Sequence, residues 1–267
     1  MEVQIRSDVQ RHVWIGRSFA AWFSLEFVGL WNAHEKTSEE GARMDHLLTG
    51  LHQFHTRFGR EREFYSKLAA GQNPSALFIG CSDSRVDPSI ITQTGLGELF
   101  VMRNAGNIVP CYGASNGGEA ATIEYAVAAL GVRDIVVCGH SGCGAIQAML
   151  APEKMEKLPL VKGWLNHAEA TRQIIVENYP NLKGEAQLAA AVCEHVLVQI
   201  ENLQTHPAVA VRLQRGELTL HAWVYQMKTG KVLAYSSEDG KFVALTDLPP
   251  EEAGKRKVGN PRQAKRK

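Results

Sequence analysis

The sequence has no long uninterrupted hydrophobic run and no excess of charge of either sign. Its longest apolar stretch, residues 19–31, contains Glu26 and is shorter than the roughly 20 residues that a membrane-spanning helix needs. Lysine and arginine number 29 against 28 aspartate and glutamate residues, a formal net charge of +1. The chain therefore has no overall field that would attract nucleic acid or an anionic membrane. We expect neither a membrane protein nor a nucleic-acid-binding protein.

Cysteine is also scarce, with five residues in a chain of 267. An odd, low number fits a reducing compartment better than a disulfide scaffold, and in such a compartment a cysteine near a histidine is first considered as a metal ligand or catalytic group. Cys138 lies in an apolar run and Cys193 on a helical pattern, so both are expected to be small buried apolar residues. Cys111 follows Pro110 in a predicted loop and is assigned no role.

Composition divides the chain into three predicted parts. Residues 1–43 differ in character from the rest of the chain and are interpreted as an extension or a misassigned start, outside the functional protein. Met44 begins a well-patterned helix, and residues 44–248 are expected to form one domain. Residues 249–267 are polar and basic, which predicts a disordered tail; electrostatic docking by this tail is the alternative.

Within the predicted domain, short apolar runs alternate with helical patterns. The predicted strands are residues 76–80, 99–102, 134–138 and 218–225. The predicted helices between and after them are residues 118–130, 164–179 and 186–204. This alternation predicts an α/β fold with a mostly parallel β-sheet flanked by helices, an N-terminal helical arm and a last strand at the sheet edge. Ligands of such sheets bind at the carboxyl ends of the strands.

Two motifs lie directly after predicted strands, Cys81-Ser82-Asp83-Ser84-Arg85 and His140-Ser141-Gly142-Cys143-Gly144. They bring two potential thiolates and one imidazole to strand ends that can converge. Zn²⁺ prefers tetrahedral nitrogen and sulfur ligands, and a catalytic site keeps one position open. Cys81, His140 and Cys143 would supply three ligands. From the spacing alone, a catalytic zinc site and a structural or redox site both remain open.

The carboxylate of Asp83 and the guanidinium of Arg85 lie two residues apart, so on an extended segment they share a side. Such groups favour a bidentate ion pair. Asp83 can therefore bind Arg85 and leave the fourth position on zinc to water, or close the site as the fourth ligand itself. The motif predicts a site with an open and a closed state.

These two motifs are similar to the signature motifs of the β-class carbonic anhydrases, particularly the cyanobacterial and plant-like members, and the resemblance runs from about Met44 to about Leu245. It implies zinc-dependent, reversible hydration of carbon dioxide to bicarbonate and a proton. The implied zinc ligands are Cys81, His140 and Cys143, and the implied catalytic pair is Asp83 and Arg85. The implied substrate-binding residues are Gln72, Phe100, Tyr125 and Gly144.

The resemblance also implies a homodimer or a higher even homo-oligomer, with active sites near the subunit interface and the N-terminal helix crossing onto the partner. Arg103 and Asn104 are expected to hold loops or a subunit contact rather than substrate. A subclass of the family has an inhibitory bicarbonate site built on a Trp three residues before the first Cys; Phe78 stands there, without an N–H donor.

Three alternatives remain at this point. Relatives on this scaffold hydrolyse carbonyl sulfide or carbon disulfide. A zinc-stabilised scaffold without turnover is the non-enzymatic alternative, although a structural zinc site would have four protein ligands. The expected location is the cytoplasm, with the carboxysome as the alternative because some cyanobacterial-type members reside there.

Overall fold

The computed structural model describes residues 40–115, 117–247 and 249. The predicted N-terminal extension and basic tail lie outside these residues, apart from residues 40–43 and Pro249. The chain divides into two compact units, residues 1–62 and 63–267. Among the residues described, no helix combines the length and apolar composition needed to cross a bilayer.

The described part of the first unit, residues 40–62, consists mainly of helix α1 (Glu40–Arg60), which begins four residues before the predicted start. Its apolar residues recur at helical spacing, yet their side chains are exposed within the single chain. These residues are Met44, Leu47, Leu48, Leu51, Phe54 and Phe58. An exposed apolar stripe of this length is typical of a surface that another protein covers.

The second unit is built on a six-stranded sheet in the order β2-β1-β3-β4-β5-β6. The strands are β1 (Ala76–Cys81), β2 (Leu99–Asn104), β3 (Asp134–His140), β4 (Thr219–Tyr225), β5 (Val232–Ser236) and β6 (Lys241–Ala244). The first four pair in parallel, and β5 and β6 join as antiparallel strands. The predicted α/β fold with a mostly parallel sheet is confirmed. The edge strands, however, are β2 and β6; the strand predicted at 218–225 lies inside the sheet.

Helices flank this sheet. They are α2 (Arg62–Ala69), α3 (Pro88–Thr92), α4 (Gly118–Glu124), α5 (Gly144–Met149), α6 (Pro159–Leu165), α7 (Glu169–Asn178), α8 (Gly184–Gln204) and α9 (Pro207–Gln214). The helix predicted over 118–130 continues from α4 into a π-helical turn, Tyr125–Ala129. The helix predicted over 164–179 is interrupted, because a 3₁₀ turn, Asn166–Ala168, separates α6 from α7.

The central strands β1 and β3 are buried along almost their whole length, as expected for parallel strands covered on both faces. Because β1 and β3 are parallel neighbours, Cys81 and His140 end at the same edge of the sheet. The sheet therefore brings the two motifs together.

Helix α8 packs closely against β3 at Gly139. A Cβ atom there would lie 2.8 Å from Cγ2 of Val196 and 3.2 Å from Cγ1 of Val192. Both valines are buried and stiff at χ1, so they cannot move away easily. The absence of a side chain at Gly139 lets the helix pack directly against the strand that ends in His140.

Gly139→Ala is therefore expected to lower the free energy of unfolding by about 1–3 kcal/mol, the usual cost of overpacking a core. Urea denaturation would measure the change. Gly163→Ala is the matched control, since a Cβ there meets nothing within 4 Å and alanine favours the helix α6. Equal stabilities of the two variants would contradict the close packing of α8 on β3.

Candidate functional site

The three residues predicted as metal ligands lie together at the carboxyl edge of the sheet. Cys81 ends β1, His140 ends β3 and Cys143 precedes α5, and all three are buried. Their ligating atoms lie within 4.8 Å of one another. The two sulfur atoms are 3.9 Å apart, close to the separation of about 3.8 Å for two sulfurs each about 2.3 Å from a tetrahedral zinc ion.

The orientation of His140 also fits a metal ligand. Its Nδ1 lies 3.1 Å from the carbonyl oxygen of Ser141, so Nδ1 carries the proton and donates. Nε2 therefore has a free lone pair. This atom is buried and has no hydrogen-bond partner, although an unpaired buried polar atom is costly. A carbonyl that fixes the ring while the other nitrogen faces a cluster of sulfurs is the usual arrangement around a ligating histidine.

The turn between His140 and Cys143 is held from the neighbouring strand. The N–H of Ser141 donates to the carbonyl of Tyr225, and the Ser141 hydroxyl accepts from the N–H of Met227. Gly142 has a φ of +69°, a conformation that glycine adopts without strain. This turn brings the chain back so that Cys143 reaches the same point as His140.

The two thiols interact strongly with each other. The pKa of Cys81 is lowered, mainly because the Cys143 thiol donates to its sulfur, with further donation from the N–H of Gly106. The pKa of Cys143 is raised by the same interaction and by burial. The pair thus holds one thiolate readily and resists losing a second proton. A divalent cation supplies the charge that stabilises both thiolates.

Asp83 lies beside this cluster and forms the ion pair expected from its spacing to Arg85. Its Oδ1 is 2.9 Å from Nε of Arg85, and its Oδ2 is 2.7 Å from Nη2. The Arg85 guanidinium holds the pKa of Asp83 well below its usual range. Oδ2 is 3.9 Å from Nε2 of His140. Asp83 is therefore paired with Arg85 in the structure, as the spacing of the two residues predicts.

Arg103 and Asn104 hold the surrounding loops, as expected. The guanidinium of Arg103 donates to the carbonyls of Cys81 and Asp83, at 2.9 Å and 2.7 Å. The side chain of Asn104 bonds both the N–H and the carbonyl of Ile108. These contacts fix the backbone on both sides of the cluster.

Three of the predicted substrate-binding residues lie away from the cluster within one chain. Phe100 pairs with Leu77 in the sheet, four residues before Cys81, and its ring is 6.0 Å from that of Tyr125. Gln72 is exposed before β1 and lines a cavity of about 460 Å³ with residues around Gly97. Because β1 spans about 17 Å, Gln72 and the cluster lie at opposite ends of that strand. Gly144, by contrast, comes directly after Cys143.

The sequence interpretation missed a buried polar group behind the cluster, formed by Thr171, His195 and Gln199. Nε2 of His195 lies 2.8 Å from the carbonyl oxygen of Gly106, and Nδ1 lies 3.2 Å from the Thr171 hydroxyl and 3.3 Å from the Gln199 amide nitrogen. The i, i+4 spacing of His195 and Gln199 within an apolar helix is the signal that could have indicated them.

Burial lowers the pKa of His195 from 6.5 to about 4. Between about pH 6.5 and pH 4, His195 is therefore protonated in the unfolded chain but neutral in the folded protein. Acid then favours the unfolded state, because that state binds the extra proton. We expect the free energy of unfolding to fall by roughly 3 kcal/mol between pH 6.5 and 4 relative to His195→Gln. Urea denaturation of both proteins across this range measures the difference. Parallel pH curves would contradict the prediction.

Comparison with known proteins identifies the family. The carbonic anhydrase family profile matches residues 76–232. A carbonic anhydrase of Synechocystis is 50% identical over 215 residues, covering 78% of each chain, and one of Pseudomonas aeruginosa is 50% identical over 187 residues, covering 70% of this chain and 84% of its own.

Solved structures similar to this chain are also carbonic anhydrases. The β-carbonic anhydrase CcaA has a TM-score of 0.79 and 47% identity, with 84% of this chain and 98% of that chain covered. A tetrameric β-carbonic anhydrase from Sordaria macrospora has a TM-score of 0.66 and 28% identity, with 73% and 97% covered. The chain therefore belongs to the β class of the carbonic anhydrase family, whose general activity is the hydration of carbon dioxide.

Proposed function

We propose that this carbonic anhydrase, a lyase, holds Zn²⁺ through Cys81, His140 and Cys143 and interconverts carbon dioxide with bicarbonate and a proton. The observation that carries the proposal is the buried, partnerless Nε2 of His140 beside two sulfurs 3.9 Å apart, with an ion-paired carboxylate at its side. Two sulfurs and one imidazole suit zinc among the common metals. When bound, zinc would supply a Lewis acid that activates water for attack on carbon dioxide.

The residues of the chain would then orient the reactants. Asp83 stays ionised at neutral pH because the positive charge of Arg85 stabilises its carboxylate. The carboxylate can then accept a hydrogen bond from the attacking water and so direct a lone pair of that water toward the carbon of carbon dioxide. Arg85 and Arg103 keep this carboxylate in place through the side chain and the backbone. Asp83 as a fourth zinc ligand remains the proposed closed state.

The proposed experiment is stopped-flow carbon dioxide hydration across pH on protein with measured zinc content. We expect activity that rises toward alkaline pH, since two thiolates donate charge to zinc and weaken it as a Lewis acid. Activity should be lost on chelation and return with zinc. Zinc content without hydration at any pH would favour a structural site, and faster turnover of carbonyl sulfide or carbon disulfide would favour the hydrolase alternative.

We further propose an even-numbered homo-oligomer, a dimer or a multiple of it. The exposed apolar stripe of α1 supports a partner of the same kind, and the solved relative from Sordaria macrospora is tetrameric. Because Gln72 and Cys81 lie at opposite ends of β1, the substrate role proposed for Gln72 requires it to act at the site of the other subunit. Phe100 pairs with Leu77, close to the start of β1, and its ring lies 6.0 Å from that of Tyr125, so both residues lie toward the end of the strand at which Gln72 enters. A fully active monomer in light scattering would contradict this arrangement.

The functional domain is proposed to be residues 44–248, and the cytoplasm is the proposed location, supported by five free cysteines. Removal of residues 1–43 should leave carbon dioxide hydration intact. Activity recovered in a compartment fraction other than the cytosol would contradict the location.

A further inference from the structure

The peptide that joins Ala105 to Gly106 lies directly behind Cys81. Its N–H, on Gly106, donates to the Cys81 sulfur at 3.4 Å. Its carbonyl, on Ala105, accepts from the indole Nε1 of Trp164 at 2.8 Å. The indole therefore holds the far side of the same planar unit whose near side faces the sulfur.

The next peptide is held as well. The carbonyl of Gly106 accepts from Nε2 of His195 at 2.8 Å. A carbonyl can only accept, so Nε2 of His195 carries the proton, and Nδ1 accepts from the Thr171 hydroxyl or the Gln199 amide. The tautomer of His195 is thereby fixed, and the buried imidazole acts as a neutral donor.

The conformation of Gly106 makes these two contacts necessary. Its φ is +84°, and a Cβ atom here would lie 3.1 Å from Cβ of Ala145. Glycine has access to many other conformations, so nothing in its own chemistry keeps the N–H on the sulfur. If the Ala105–Gly106 peptide rotated, the N–H would turn away and a carbonyl oxygen would approach the thiolate.

We propose that Trp164 and His195 are positioning residues for the metal centre, which hold the Gly106 N–H on the Cys81 sulfur through two consecutive peptides. The inference rests on the proposed function, because Cys81 must be a zinc ligand. A charge-assisted N–H···S bond withdraws charge from the thiolate and fixes its direction. A zinc ion bound there would be a stronger Lewis acid than one bound by two thiolates without such a hydrogen bond. The Cys81 sulfur is also held in its ligating position before the metal binds.

Four variants test this role. Trp164→Phe keeps a ring and removes the indole N–H. His195→Asn and His195→Gln both offer an amide, but only Gln is long enough to place a donor where Nε2 lies. His206→Asn is the matched control: its Nε2 lies 3.0 Å from the Pro110 carbonyl, on the same loop but four residues beyond Gly106.

The readouts are zinc affinity by chelator competition and the thiolate-to-metal charge-transfer band of the Co²⁺-substituted protein. We expect Trp164→Phe and His195→Asn to weaken zinc binding by about 10–100-fold. Both should move the cobalt band to longer wavelength, because a thiolate without its hydrogen bond gives up charge more easily. His195→Gln should restore both readouts, and His206→Asn should leave them unchanged while lowering stability.

The positioning role is wrong if Trp164→Phe and His195→Asn keep the wild-type zinc affinity and cobalt band, or if His206→Asn changes them equally. If His195→Asn does not fold, Trp164→Phe alone tests the positioning role. Wild-type protein that binds zinc and hydrates no carbon dioxide would overturn the proposed function and leave this inference intact. Active zinc protein with unaffected variants would overturn the inference alone.

Discussion

Cys143→Ala is expected to abolish carbon dioxide hydration, with a loss of about 10³-fold or more, because the Lewis acid that activates water is no longer held. The substitution removes one of the two sulfurs that lie 3.9 Å apart and leaves Cys81 and His140 without a closed ligand set. Zinc content should fall from one ion per chain toward none. Metal analysis and stopped-flow hydration on the same sample measure both effects.

Cys138→Ala is the matched control for this experiment. Cys138 lies two residues before His140 on β3 and is buried, as predicted, and burial raises the pKa of its thiol to about 12. It is outside the cluster, so its replacement should keep zinc and activity. If Cys143→Ala retained full zinc and full activity, the proposed ligand set would be wrong.

Asp83→Asn is expected to lower kcat by about 10²–10⁴-fold. This is the range, about 10²–10⁴-fold, typical of a side chain that assists proton transfer in the transition state. The neutral amide loses the charge that pairs with Arg85 and presents an N–H₂ group as readily as an oxygen, so the attacking water is no longer directed. Zinc content should stay at the wild-type level, because Asp83 lies on Arg85 rather than in the cluster.

Asp87→Asn removes the same charge four residues away. Asp87 caps α3 by accepting from the N–H of Ile90, and asparagine caps a helix equally well. This variant should therefore keep both stability and kcat. An unchanged kcat in Asp83→Asn would remove the carboxylate from the proposed mechanism, and loss of zinc from that variant would assign Asp83 to metal binding instead.

The position of the candidate site could be predicted from the sequence because its residues lie at or directly after the ends of strands in a parallel sheet. Cys81 and His140 each end an apolar run, and the carboxyl ends of parallel strands meet at one edge of a sheet. The two-residue spacing of Asp83 and Arg85 likewise determines a contact that local geometry alone can make. Such features need only the strand pattern and a parallel sheet.

Two parts of the fold were not predicted, for different reasons. The hairpin of β5 and β6 consists of two short strands, but Asp239-Gly240 between two apolar runs is a turn signal that could have indicated it. The break between α6 and α7 leaves the helical period almost unchanged, since a 3₁₀ turn of three residues advances the chain by nearly one turn.

The contacts behind Cys81 could not be predicted from local patterns at all. Gly106 and His195 are 89 residues apart, and Ala105 and Trp164 are 59 apart. No periodicity relates a polar residue inside an apolar helix to one particular carbonyl in a distant loop. Only the packing of α8 on the sheet selects that partner.

The separation of Gln72 from Cys81 along β1 has a genetic consequence. In the proposed oligomer, a Cys81→Ser subunit lacks its own metal ligand but still offers Gln72 to its neighbour, and a Gln72→Ala subunit has the opposite defect. A mixed pair would contain one intact centre out of two. Two alleles that each fail alone would then complement each other when expressed in one cell, whereas Cys81→Ser and Cys143→Ser would not.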